Sequence, residues 1–365
     1  MLAEQLKKVA LKRVADAPDK AADALPRPAL CEDGEDYTRL MEETYFEEYW
    51  EKIKPLSFTS TFVPLSKKAA AALMAAHKAF LATKNEDSQQ SSGNWKEEHP
   101  ELAQLVEDIN AAQKLLDREH VFVRLSSRSP KDAALSRQGF KSLLEEELQQ
   151  VKRLEGESAT SSDNQLLHAL YRASTVALKV SNGEEGVQLL VESPRIQGDL
   201  DAYLHSQKED ETFNVVVREW GEFDVELEFR AFVYQNKFTA LTQYNEFIFF
   251  PRMLSQKDTI LSVITDFLHK EVMPLMTLPN YVLDLALKYP SGEGEREEAS
   301  TYRGFKLYVV ELNPLAEFAG SGLFDWTKDW DVLLGKKPFE FRVHESEPPH
   351  ARQQIAGNWW SPFAS

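Results

Sequence analysis

Near the end of the chain a carboxylate and a carboxamide stand two residues apart in an apolar run, Val309-Val310-Glu311-Leu312-Asn313-Pro314. The valines favour a strand and Pro314 ends it. Side chains alternate across a strand, so Glu311 and Asn313 share one face, while Val310 and Leu312 take the other, suited to a core. Two oxygen ligands so placed suit a hard cation such as Mg2+, which accepts few protein oxygens and leaves the rest to water or phosphate. Asp284 lies inside a second apolar run, Tyr281–Leu287, where an unpaired carboxylate is costly. A hairpin between the two runs sets it beside Glu311. Glu228 and Arg230 share a face of a third strand-like run, Glu226–Val233, and arginine grips carboxylate or phosphate in a two-pronged fork. Lys179 closes Val176-Ala177-Leu178-Lys179, read as a central strand from which a lysine reaches nucleotide phosphates. Arg124, Arg128, Lys131 and Arg137 form a cationic island in which Asp132 is the single acid, a pattern that suits a small anion such as a nucleotide phosphate.

Around these residues the composition narrows the choice. The chain has 365 residues, a net charge of −17 and a pI near 5.0. Such acidity makes a poor general binder of nucleic acid or anionic membrane. A hydrophobic fraction of 42% fills a core, and no apolar run approaches the length of a spanning helix. The single cysteine, Cys31, excludes an intramolecular disulfide and a thiolate zinc cage and fits a reducing, cytoplasmic setting. The chain has no G-x-x-x-x-G-K-[ST], no G-x-G-x-x-G opening a helix and no G-x-S-x-G. It also lacks the H-R-D and D-F-G of protein kinases, despite the kinase-like V-A-L-K.

The elements that must carry these residues follow from periodicity and punctuation. Helical spacing covers Ser66–Ala82, with Ser66 as N-cap, then Pro100–Glu119, Phe140–Leu154, the run ending near Glu192, Asp199–His205 and Leu254–Val272. Strand patterning covers Val121–Leu125, Thr175–Val180, Phe213–Trp220, Glu226–Tyr234, Phe238–Tyr244, Tyr281–Tyr289 and Phe305–Leu312, with a tight turn at Gln235-Asn236-Lys237. Residues 32–51, with nine acids against Arg39, read as a solvated segment. Leu2, Leu6, Val9 and Leu11 suggest a short amphipathic helix. Lys84–Asn94 reads as a polar linker, Pro290–Ser300 as an exposed hairpin loop, and the proline-spotted tail after Lys336 as a surface wrap.

In this order, the residues resemble the ATP-grasp superfamily and, more narrowly, the cell division cycle protein 123 family. Four blocks carry the resemblance: Tyr49-Trp50 with Phe58–Leu65; Val121–Leu125 with Ser129-Pro130-Lys131-Asp132-Ala133; Val215–Trp220 through Glu228–Val233; and Val282-Leu283-Asp284 with Glu311-Leu312-Asn313-Pro314. The resemblance implies an α+β, two-lobed ATP-grasp fold with mixed sheets and flanking helices. An amino-terminal extension (1–44) would precede a first lobe (45–212), a second lobe with hinge and metal strands (213–335) and a tail (336–365). It implies ATP and Mg2+ as ligands. Arg124 and Lys179 would face phosphates, and the backbone of Val217, Arg218, Glu219 and Trp220 would meet adenine. Arg230 would reach the terminal phosphates, with Lys179 and Arg230 as the catalytic pair. Asp284, Glu311 and Asn313 would hold Mg2+. Two departures stand out: Arg124 replaces the family's lysine, and Glu311 its aspartate. The implied role is a monomeric, ATP-dependent assembly chaperone for the gamma subunit of translation initiation factor 2. The alternative is an ATP-grasp ligase or ATPase that activates a carboxylate or a nucleic-acid end.

Overall fold

The structure is a computed structural model that describes residues 30–32, 34–84, 95–156, 162–206, 208, 212–289 and 301–349. The expected amphipathic helix at Leu2–Arg13, residues 85–94 of the polar linker, the Pro290–Ser300 loop and the tail beyond 349 lie outside the described residues. In chain order the elements are α1 (Gly34–Glu43), α2 (Phe46–Ile53), β1 (Ser60–Pro64), α3 (Lys67–Lys84), α4 (Trp95–Glu98), α5 (Pro100–Leu116) and β2 (Val121–Leu125). A 3-10 turn at Lys131–Ser136 leads to α6 (Phe140–Glu155), α7 (Asp163–Val176), α8 (Gly183–Glu192), α9 (Pro194–His205), β3 (Asn214–Glu219), β4 (Glu228–Tyr234) and β5 (Lys237–Gln243). After α10 (Pro251–Ser255) and α11 (Lys257–Phe267) come β6 (Tyr281–Lys288), β7 (Thr301–Tyr302), β8 (Phe305–Asn313), α12 (Trp330–Leu333) and β9 (Glu340–Arg342).

Two sheets organise an α+β fold. The smaller is antiparallel with order β1-β3-β2; the larger has order β7-β8-β6-β4-β5-β9, antiparallel except where β9 runs parallel to β5. One core joins β1, β2 and β3 to α3, α5, α6, α8 and α9, through residues such as Leu73, Ile109, Val123, Leu190 and Val217. A second fills the space between the larger sheet and α2 and α11, where Phe46, Tyr49, Trp50, Phe229, Ile264 and Leu285 meet. A third covers part of the opposite face with Phe232, Val282, Phe324 and Trp330.

Local signals explain most starts and stops. Ser66 Oγ accepts from the Ala69 amide at 3.1 Å, and Ser162 with Gln165 closes a capping box on α7. Gln235 and Asn236 turn β4 into β5 with φ of 48° and 57°, the left-handed pair that matches the twist of a two-residue hairpin.

Several expectations change. Thr175–Val180 is not a strand: α7 runs through Val176, and Ala177–Lys179 turn back by amide bonds to Ala173, Thr175 and Val176, leaving a single bridge at Val180. Packing of Leu167, Leu170 and Ala173 at helical spacing overrides the β-branched residue types there. β3, assigned to the second lobe by the 212/213 boundary, is the middle strand of the first sheet. Residues 32–51 are not simply solvated, because α2 buries Phe46, Tyr49, Trp50 and Ile53. The segment after Lys336 supplies β9, so it extends the sheet as well as crossing the surface.

The α5–α8 contact is tight enough to test. A Cβ at Gly183 would lie 2.2 Å from the Val106 carbonyl oxygen, whereas one at exposed Gly198 meets nothing within 4 Å. In urea titrations Gly183→Ala should destabilise by about 1–3 kcal/mol, and Gly198→Ala, inside α9, should stabilise by about 0.5–1 kcal/mol.

Candidate functional site

The strand register sets the site. Arg230 of β4 lies directly opposite Asp284 of β6, and Asp284 directly opposite Glu311 of β8. The β6–β8 ladder shifts between Asp284 and Leu285: Leu285 pairs with Val309, yet Asp284 pairs with Glu311, so Val310 is an extra residue. A regular ladder would have set Val310 against Asp284; the bulge substitutes the carboxylate. It also corrects the face assignment made from alternation. Val309 and Leu312 are the core residues, and Val310 is half-buried at the bulge.

The polar row that results is tightly bonded. Arg230 grips Asp284 with both prongs, Nε to Oδ1 and Nη2 to Oδ2, each at 2.7 Å, and its Nη1 donates to the Gly320 carbonyl at 2.7 Å. Asn313 Nδ2 donates to Asp284 Oδ2 at 3.1 Å. Arg124, 2% exposed, crosses from the smaller sheet to bond Glu311 Oε2 at 2.5 Å. Arg218 also crosses, its Nη2 donating to the Val310 carbonyl at 2.7 Å, while Ser57 Oγ donates to the Val309 carbonyl at 2.6 Å. These two bonds tie β8 to β3 and to the segment before β1. The Arg218 guanidinium lies 4.7 Å from the Phe46 ring centroid and 5.4 Å from that of Phe58.

The electrostatics follow from burial and proximity. Burial opposes the Glu311 charge, but Arg124, Lys131 and Arg230 outweigh it and hold the carboxyl at about 2. Burial opposes the Arg230 charge too, and Asp284 more than offsets it. Burial and neighbouring Arg124 bring Arg218 down to about 10. Burial, reinforced by Asp284 and Glu311, lifts Glu228 to about 7 even though Asn245 Nδ2 donates to it at 3.3 Å.

Asp284, Glu311 and Asn313, expected as metal ligands, are thus neighbours, with Arg230 and Arg124 in the same cluster. Other expectations do not fit. Lys179 is in the turn after α7, its Nζ 3.9 Å from the exposed Glu222. It lines a cavity of about 300 Å3 with His120, Arg137, Phe140 and Glu185, a set that shares no residue with the Arg230–Asp284 cluster. The Val217–Trp220 backbone is not an open edge for a base. Val217 and Arg218 pair on both sides within the sheet, and the Glu219 and Trp220 amides donate to the Thr59 and His120 carbonyls. Most of the cationic island is committed to the protein: Arg128 to Asp199 at 2.6 Å, and Arg137 to Glu185 and the carbonyls of Ala177 and Lys179. Lys131 is the exposed exception. It donates to Tyr244 Oη at 2.8 Å, beside the Arg230 guanidinium over the same ring. Sequence reading included Lys131 in the cationic island but passed over Tyr244.

The donor set fits Mg2+. Two carboxylates and one carboxamide meet at adjacent strand positions, and no bond among the described residues takes up Glu311 Oε1 or Asn313 Oδ1. No group of three or more His, Cys, Asp or Glu side chains forms a complete metal cage among the described residues. A cation here would complete its shell with water or phosphate, as Mg2+ does.

Fold and site together define a two-lobed α+β protein whose lobes meet at a buried, charge-paired cluster. The D123 family model matches residues 168–356, just over half of the chain, and the chain belongs to that family. The solved structure of Cdc123 from Schizosaccharomyces pombe superposes with a TM-score of 0.54 over 84% of this chain and 98% of its own, at 18% identity. A translation initiation factor eIF2 assembly protein from Vanderwaltozyma polyspora is 25% identical over 146 residues, 38% of this chain and 36% of its own. The protein of that name from Xenopus laevis is 25% identical over 114 residues, 31% of this chain and 30% of its own. The chain thus spans about a third of the length of these curated relatives. Among the described residues, no helix is long and apolar enough to cross a membrane.

Two stability predictions follow. Arg230→Met strands a buried carboxylate and should cost about 3–5 kcal/mol, whereas Arg230→Met with Asp284→Leu should cost less than the single change; denaturant titration reads both. Glu228 binds a proton more tightly folded than unfolded, so its contribution to stability falls as pH rises from about 4.5 to about 7. Glu228→Gln should therefore be more stable than the parent above pH 7, and the two melting curves should converge below about pH 4.5.

Proposed function

We infer that this chain binds Mg·ATP at the junction of the two sheets and uses it in assembling translation initiation factor 2. The observation that carries the ligand reading is the row Arg124–Glu311–Asp284–Arg230, with Asn313 at its end and Lys131 exposed at its rim. Asp284, Glu311 and Asn313 supply oxygens for the cation, and Lys131 supplies a positive charge for the phosphates. When bound, the cation draws phosphate oxygens to the cluster and neutralises their charge. Arg124, which bonds Glu311 across the lobes, would be a cation available to a phosphate there, and this would couple occupancy to the fit of the two lobes. Arg230 orients Asp284 instead of reaching the phosphates, because both prongs of its fork are already engaged.

The assembly role rests on family membership and on the shared name of the curated relatives. The gamma subunit is the partner that the sequence resemblance singles out, and the acidic surface suits a basic protein face.

Calorimetry with Mg·ATPγS tests the site. Asp284→Asn and Asn313→Ala should abolish Mg-dependent binding, and Lys131→Ala should weaken it by about tenfold, the loss of one charge-assisted contact. Unchanged affinity in the first two variants refutes the assignment. Stoichiometric co-purification with the gamma subunit, without a covalently modified product, supports assembly; turnover to such a product favours a ligase.

A further inference from the structure

The segment before α2 spans both lobes, with Leu30 packed against the third core and Tyr45 against the first. α1 has no buried residue, and a ten-residue helix is marginal by itself. Its charges, Glu35, Asp36, Glu42 and Glu43 against Arg39, leave it acidic. Its contacts, and those of Leu30, reach both lobes. Lys208 Nζ meets Glu42 at 2.5 Å, and Arg128 Nη2 donates to Tyr37 Oη at 3.2 Å, both on the first lobe. On the second lobe, Tyr37 packs on Phe318 with ring centroids 4.7 Å apart, and the Leu30 amide donates to Glu317 Oε1 at 3.0 Å. Just beyond, the Phe46 amide anchors the chain to the Ser126 carbonyl.

The grip points adjoin site residues along the chain on both lobes. Arg128 precedes Lys131 by three residues, and Phe318 precedes Gly320, whose carbonyl holds Arg230, by two. Tyr37 and Phe318 are 38% and 40% exposed, so parting these two rings costs little apolar burial. Its acidic helix also opposes an approaching phosphate.

We propose that Leu30 and α1 form a strap, hinged at Phe46, that closes across the rim between the Lys131 turn and the 314–320 loop and limits entry of a nucleoside triphosphate with its divalent cation. The ligand class rests on the reading above; the strap itself does not. Opening frees both rims, and closing ties them through Tyr37. If the open state is a minor fraction of molecules, the apparent affinity falls by that fraction.

The test uses the full chain with Cys31→Ser, Tyr37→Cys and Phe318→Cys, joined by a short cleavable thiol cross-linker. The joined form should take up Mg·ATPγS at least about tenfold more slowly than the same protein after cleavage, and Tyr37→Ala should take it up several-fold faster than the parent. Equal rates before and after cleavage overturn the strap. If the parent binds no nucleotide, the ligand reading falls, and hydrogen exchange then judges the strap alone. Tyr37→Ala should speed exchange of the Ala319 and Leu323 amides, which are bonded to the Ala316 carbonyl and Thr242 Oγ1. Unchanged exchange there overturns it.

Discussion

One extra residue in β8 decides what the larger sheet presents to its partner lobe. With Val310 looped out of register, Glu311 stands opposite Asp284, and Asp284 stands opposite Arg230. Three charged side chains then form a line across three strands in a buried setting, where each is tolerable only because its neighbour opposes it. Beside the bulge, Ser57 donates to the Val309 carbonyl and Arg218 to the Val310 carbonyl. Charge pairing within the sheet and joining of the lobes thus meet at one stretch of β8.

Such a cluster is better suited to selecting an arrangement than to raising stability. A buried ion pair roughly breaks even against well-packed apolar groups, but breaking one partner is expensive. Arg124 and Arg230 commit their donors in fixed directions, and Arg218 its Nη2, so the two lobes have few ways to fit together. A cation shared by Asp284, Glu311 and Asn313 would alter the balance that fixes that fit.

Much of the architecture was legible because its signals are local. Alternation identified β4, β6 and β8, the Gln235-Asn236 turn joined β4 to β5, and Ser66 marked the start of α3. The pairing of Asp284 with Glu311 followed from the hairpin, although the bulge that perfects it left no mark in the residue types. Sequence reading failed where tertiary packing decided. Val176 and Lys179 look like strand residues but end a helix that α6 and the first core hold in place. The hinge expected at Val217–Trp220 failed for a related reason. A run of valines reads equally well as an edge or a middle strand, and only the neighbours β1 and β2 show that Val217 and Arg218 are paired on both sides.

The parallel pairing of β9 with β5 has a wider meaning. Ala240, Leu241 and Thr242 would otherwise end the larger sheet with a row of unsatisfied peptide groups, an open template for any extended chain. Three residues near the end of the described chain occupy that template, and Arg342 secures them by bonding both Asp329 and Glu340. Residues 340–342 thereby close an edge that would otherwise offer its peptide groups to any extended chain.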